Sequence, residues 1–252
     1  MQKAVTSFIF GLAVVGYAAN SSAADLPLVD AHIHYSHDAW EGLPPAKAVA
    51  LLRKAGLKRA FVSSSSDKGT QLLYNATPYL IVPVLRPYRK HGELGSWMHG
   101  DSIIKLLETR LSTNKYGIFL HSHSDAAVID GIFKKNLDAR VLWAHSGSTD
   151  PTEIRSMLKK HKNLWSDLAF RDEHATDRKV DKAWRKLFQD FPNRFMIGTD
   201  TFAPERWFYV VEHSNWSRAW PKDLPKSLAE NIAWRNAMTL ADWALKNKTV
   251  NN

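Results

Sequence analysis

Short apolar runs alternate with longer amphipathic stretches along most of the chain, and that alternation predicts the architecture. Leu28–His32 is apolar apart from Asp30 and the terminal His32, and reads as a buried strand. A helical pattern follows over Pro44–Ala55, with prolines at its start and Gly56 at its end. Arg59–Ser63 reads as the second strand, Asp67–Ala76 as a helix and Tyr79–Val84 as the third strand. Pro83 cannot donate to a ladder, so it marks a bulge or a strand end. Asp101–Leu111 is an amphipathic helix with Asp101 or Ser102 as its cap, and Tyr116–His121 is a strand. Asp125–Lys135 reads as a helix and Ala139–Ala144 as a strand. Asp150-Pro151-Thr152-Glu153 opens a further helix with a capping residue and a proline in its first turn. Asn163–Leu168 is a strand, Asp181–Phe191 a helix and Arg194–Gly198 the last strand. Residues 201–228 read as a long connection rich in Trp and punctuated by Pro, and Ala229–Lys246 as a closing helix.

Strand–helix alternation with buried strands predicts an α/β fold around a parallel sheet. The pattern yields seven strands. A (β/α)8 TIM barrel takes eight, so the expectation is a TIM-barrel-like fold that is incomplete. A doubly wound sheet would carry a glycine-rich phosphate loop after its first strand. Ala31-His32-Ile33-His34 stands there instead.

Composition narrows the picture. With 252 residues, 44% of them hydrophobic, the chain supports one substantial core. The net charge of +9 comes from Lys and Arg scattered along helical patterns, without a nucleic-acid motif, so no nucleic-acid partner is expected. There is no Cys, which leaves His and carboxylates as the only candidate metal ligands, and the chain has 11 His. The first 24 residues resemble a secretory signal: Lys3, the apolar run Phe8–Tyr17, and the small-residue site Ser22-Ala23-Ala24. That run is shorter than the ~20 residues a membrane span needs. The expected organisation is therefore a signal peptide over 1–24 and a single exported, periplasmic domain over 25–252, without stable membrane insertion.

In a parallel barrel, reactive residues gather at the C-terminal ends of the strands. The polar residues ending the strands are His32 and His34, Ser63–Ser66, Arg86, His121 and His123, His145, Asp167, and Asp200. His32 and His34 are two apart and share one side of a strand. A His-x-His pair is close to chance in a His-rich chain, and His121-Ser122-His123 is a second one. The later strand ends give the pair its meaning. Imidazoles and a carboxylate converging on one end can hold zinc or a similar divalent ion, which activates water for hydrolysis. Asp200 is the candidate carboxylate for accepting and returning the proton.

These residues resemble the amidohydrolase superfamily, and most nearly its amidohydrolase-2 branch of metal-dependent TIM barrels. The matching stretches are Val29–His34, Phe119–Asp125, Val141–Gly147, Phe195–Thr201 and Asn231–Ala237. The resemblance implies that His32, His34, His123 (or His121) and Asp200 hold the metal, with Asp200 also shuttling protons. It implies that His145 binds a second metal or contacts substrate, and so serves catalysis. Arg86, Arg171 and Arg206 stand where substrate-binding loops are expected; Trp207 beside Arg206 reads as a packed rim aromatic. The implied cofactor is one divalent ion per chain, zinc or alternatively manganese, and the implied partner is a small molecule with a C–N or C–O bond to hydrolyse. The same branch contains metal-dependent decarboxylases, and a non-catalytic periplasmic descendant is the third reading. The chain departs from the family where a fourth βα unit belongs, because Tyr116-Gly117-Ile118 runs straight into Phe119-Leu120-His121. A missing unit leaves two strand edges to cover, by other segments or by a homo-oligomeric contact.

Overall fold

The alternation is realised as parallel strands joined by helices in a computed structural model, which describes residues 26–86, 109, 120–122 and 125–249. The first three strands, β1 (Leu28–Ile33), β2 (Leu57–Val62) and β3 (Ile81–Pro83), form one parallel sheet in the order β1-β2-β3. Strands β4 (Leu120–Ser122), β5 (Val141–Trp143), β6 (Leu164–Asp167) and β9 (Phe195–Met196) form a second parallel sheet in the order β4-β5-β6-β9. Between them in sequence lies a two-residue hairpin of β7 (Ala175–Thr176) and β8 (Lys179–Val180). Its turn residues Asp177 and Arg178 both have positive φ (49° and 64°), the geometry that matches strand twist in a tight hairpin.

The two large sheets meet at β1 and the end of β9. Ala31 donates its N–H to the Ile197 carbonyl at 2.8 Å, His34 donates to the Thr201 carbonyl at 2.7 Å, and Ile33 bridges Thr201 in parallel. Seven parallel strands thus follow one another in the order β3-β2-β1-β9-β6-β5-β4. No closed barrel is found among the described residues. Pro83 stands at the end of β3, as its missing N–H requires.

Alternation along the strands sorts the core into two clusters. Val141, Trp143, Leu164 and Phe195 pack with the helices α2 (Pro45–Lys54), α4 (Ala126–Lys135), α5 (Pro151–Lys160) and α6 (Lys182–Asp190). Val29, Ala31, Phe61, Val82, Leu142 and Met196 face the other way, onto Ala237, Leu240, Ala241 and Ala244 of the last helix, α10 (Asn236–Thr249). The helix caps follow from sequence: Asp150 accepts from the N–H groups of Thr152 and Glu153, and Asp181 from those of Ala183 and Trp184.

Two expectations need correction. Residues 201–228 are largely helical, with α7 (Pro204–Phe208), α8 (Val210–Ala219) and a 3-10 turn over Trp220–Asp223. Pro204 and Pro221 occupy first-turn positions, where no N–H is needed, so they start helices there instead of breaking them. Trp207 and Trp220 are fully buried and anchor the segment. The closing helix, in turn, is divided into α9 (Lys226–Glu230), a π turn over Asn231–Arg235, and α10. The expected helix over 101–111, apart from Thr109, and residues 116–119 of the expected strand lie outside the described residues, as does the signal-like segment over 1–24. No helix among the described residues is long and apolar enough to cross a membrane.

Candidate metal centre

The C-terminal ends of β1, β5 and β9 bring His32, His145 and Asp200 together, with one ligand atom from each within 4.8 Å of the others. All three residues are buried. His32 lies on β1 beside Gly198, where a Cβ would meet the His32 Cβ at 2.8 Å. Gly198 therefore clears the space into which His32 packs. Asp200 has a φ of +45°, a left-handed conformation that aspartate tolerates better than most residues. Its turn is tied down by Arg206, which donates from Nε to the Asp200 carbonyl at 2.8 Å and from Nη2 to the Thr199 carbonyl at 2.6 Å. Asp30 holds the same turn from β1, accepting from the Thr199 hydroxyl at 2.6 Å and the Thr199 N–H at 3.1 Å.

His145 opens a left-handed run, with φ of 56°, 51° and 67° at His145, Ser146 and Gly147. A Cβ on Gly147 would meet the Trp143 ring at 2.0 Å, so only glycine fits there. Arg171 locks the turn, donating to the His145 carbonyl at 3.1 Å and to the Thr149 carbonyl, with its guanidinium 5.1 Å above the Trp184 ring.

The imidazoles are oriented from behind. His32 donates from Nδ1 to Asp167 Oδ2 at 3.1 Å, His145 from Nδ1 to the Ala169 carbonyl at 3.0 Å, and His34 from Nδ1 to the Ser63 carbonyl. An acceptor on Nδ1 places the proton there and turns Nε2 toward the cluster, the arrangement that outer partners impose on metal-binding histidines. Asp167 does this twice over, since its Oδ1 also accepts the His145 backbone N–H at 3.0 Å. The Nε2 atoms of His32 and His34 are 2.9 Å apart, and they lie 3.2 and 3.3 Å from Asp200 Oδ1; His145 Nε2 is 3.8 Å from Asp200 Oδ2. Ligands bound at about 2.0–2.1 Å to one ion stand roughly 3.0–3.4 Å apart, so these spacings suit a shared cation. Among the described residues, no hydrogen-bond donor is aligned on the buried Asp200 Oδ1, with the His32 and His34 Nε2 atoms 3.2 and 3.3 Å away. A buried carboxylate oxygen in that position calls for a cation. The residues fit a divalent ion.

Charge is shared unevenly. Burial pushes the His145 pKa down to about 4, helped by His32, and pushes His34 down to about 3, helped by Arg86. Burial also opposes charge on His32, yet Asp200 and Asp167 outweigh it and raise its pKa. Burial opposes ionisation of Asp200 too, but His32, His34 and His145 hold its carboxyl far below the usual range. Two neutral imidazoles and an ionised carboxylate are in the protonation state that metal ligation requires. A proton on His32 is the smallest cation that stabilises the pocket, and a metal would displace it.

The three predicted substrate arginines stand in different places. Arg86 reaches the cluster, donating from Nη2 to His34 Nε2 at 3.2 Å and from Nη1 to Ser65 Oγ at 3.3 Å. Arg171 and Arg206 direct their guanidinium groups onto backbone carbonyls of the turns that carry His145 and Asp200. His121 lies on β4 in register with Leu142, and His123 lies outside the described residues. Asp167 was visible in the sequence as a strand-end carboxylate, though its role as common orienter of His32 and His145 was not. Asp30 and the Ser63 carbonyl gave no signal beyond their position.

A scan against protein-family models finds no match, and no curated protein matches. Among solved structures, an uncharacterised TIM-barrel protein from Bordetella bronchiseptica is similar in fold, with a TM-score of 0.52 and 14% identity over 79% of this chain and 83% of that one. At that identity the likeness concerns the fold alone. It supports a TIM-barrel fold for this α/β chain, whose buried His32, His145 and Asp200 can hold a metal ion.

Proposed function

We propose that this protein is a metal-dependent hydrolase of the amidohydrolase type, built on an incomplete TIM barrel. It would hold one divalent ion, zinc by its donor set, on His32, His145 and Asp200, with His34 beside them. The observation that carries the reading is the convergence of oriented Nε2 atoms on a buried, ionised carboxylate. A divalent ion at this position supplies Lewis acidity, acidifying water and polarising a substrate carbonyl. Asp200 is ionised at neutral pH, so it can take a proton from the attacking water and return it to the departing oxygen or nitrogen. The balance is one water consumed per amide, ester or lactone bond cleaved. Asp167 keeps His32 and His145 aimed, and Arg206 keeps the Asp200 turn in place. Arg86 is the arginine placed to meet a polar or anionic group of the substrate.

The test is a panel of esters, lactones and amides assayed on the full chain after chelation and after zinc reloading. Hydrolysis that appears only on reloading and vanishes in Asp200→Ala supports the reading. Release of CO2 without water uptake assigns the site to a decarboxylase instead. No turnover in any zinc-loaded assay contradicts an enzymatic role on these substrates.

A further inference from the structure

Two phenylalanines border the cluster and stay exposed. Phe170 follows β6 by three residues, with 52% of its surface accessible, and Phe202 lies two residues beyond Asp200 with 36% accessible. Neither belongs to the hydrophobic clusters formed by the described residues. Phe170 has a φ of +52°, a conformation that bulky residues rarely adopt. Burial does not compensate that strain, because half the ring is in solvent. Strained, exposed residues of this kind concentrate at binding and catalytic sites.

The two rings are held as parts of one surface. The Phe170 ring centroid is 5.6 Å from that of His145, tilted by 40°. The Arg206 guanidinium carbon lies 4.4 Å from the Phe170 centroid and 5.7 Å from that of Phe202. Arg206 donates to the Thr199 and Asp200 carbonyls, which holds its guanidinium against both rings. Its charge is offset by Asp200 and Asp172, so the two rings are the apolar part of this border. A flat aromatic ring gains stacking energy against exposed aryl rings of this kind.

We propose that Phe170 and Phe202 form an aryl subsite, taking a flat aromatic ring next to the group that reacts at His32, His145 and Asp200. This deepens the hydrolase reading and rests on it for the word substrate, although ring binding itself does not need the metal.

Calorimetric titration of the full chain, zinc-loaded and chelated, with benzamide, cyclohexanecarboxamide and acetamide tests it. Benzamide should bind roughly ten-fold tighter than acetamide, and clearly tighter than the non-planar cyclohexyl amide. Phe170→Ala should remove most of that preference, and Phe170→Trp should keep it, both with unchanged melting temperature and zinc content. Equal affinity for the three probes overturns the subsite. So does a preference that survives in the Phe170→Ala, Phe202→Ala double variant. Zinc bound without ring preference sinks the subsite and spares the metal centre. Ring preference in a protein that takes up no zinc on loading upholds the subsite as a binding surface and sinks the hydrolase reading.

Discussion

Asp167 is the residue on which two of the ligands depend. It accepts from His32 Nδ1 and from the His145 N–H, so removing its charge loosens both at once. Asp167→Asn should weaken zinc binding by roughly 10- to 100-fold with the fold intact, as outer partners of metal ligands typically do. Chelator competition measures this, and an unchanged affinity would show that Asp167 orients nothing. A second buried residue gives a pH signature. His174 sits among Trp184, Trp216 and Trp220, and burial pushes its pKa down to about 4. The hydrogen bond to the Arg171 carbonyl, Glu173 and Asp172 pull upward and the Arg171 charge downward, but burial dominates. The folded state keeps His174 neutral while the unfolded chain protonates below its ordinary value of 6.5. Its contribution is therefore complete above about pH 6.5 and lost as the pH falls toward 4, by about 3 kcal/mol. Urea midpoints across that window should fall in wild type and fall less steeply in His174→Gln, where His145 and His34 supply the remaining slope; parallel profiles would count against it. At this scale the clustered His32, His145 and Asp200 were legible because strand ends can be read from apolar runs, while the expected His123 lies outside the described residues. The orienting roles of Asp167 and Asp30 were not, since they depend on contacts between strands distant in sequence.

Among the elements, the turn after β5 is the most constrained. His145–Ser148 is left-handed throughout, and Gly147 sits against the Trp143 ring with no room for a methyl group. Gly147→Ala should lower unfolding stability by about 2–4 kcal/mol and displace His145, combining a forced positive φ with a clash. Denaturation with zinc titration on the same sample reads both effects; a loss below about 1 kcal/mol with normal zinc affinity would contradict the account. The strands and the Asp150 cap were readable because period and capping chemistry are local, and Asp181, read as the first helical residue, is the cap of its helix. The helices within 201–228 were misread as a connection, because prolines signal breaks and helix starts alike. The 175–180 hairpin escaped notice, as its strands are only two residues long and Asp177-Arg178 is not a usual turn pair.

For the whole molecule, the ligands come from strands far apart in sequence, so a bound ion would clamp β1, β5 and β9 together. The parallel α/β plan and the seven parallel strands were legible because buried parallel strands give continuous apolar runs, whereas their order was not. The packing of α10 onto the inward-facing residues was not, since a helical pattern does not reveal which face of a sheet it covers. The central claim is that His32, His145 and Asp200 form one metal site, and metal content tests it most directly. Elemental analysis of the full chain after zinc loading and exhaustive dialysis should give about one zinc per chain in wild type and close to none in His32→Ala. Zinc-free wild type, or equal zinc in both proteins, would contradict it.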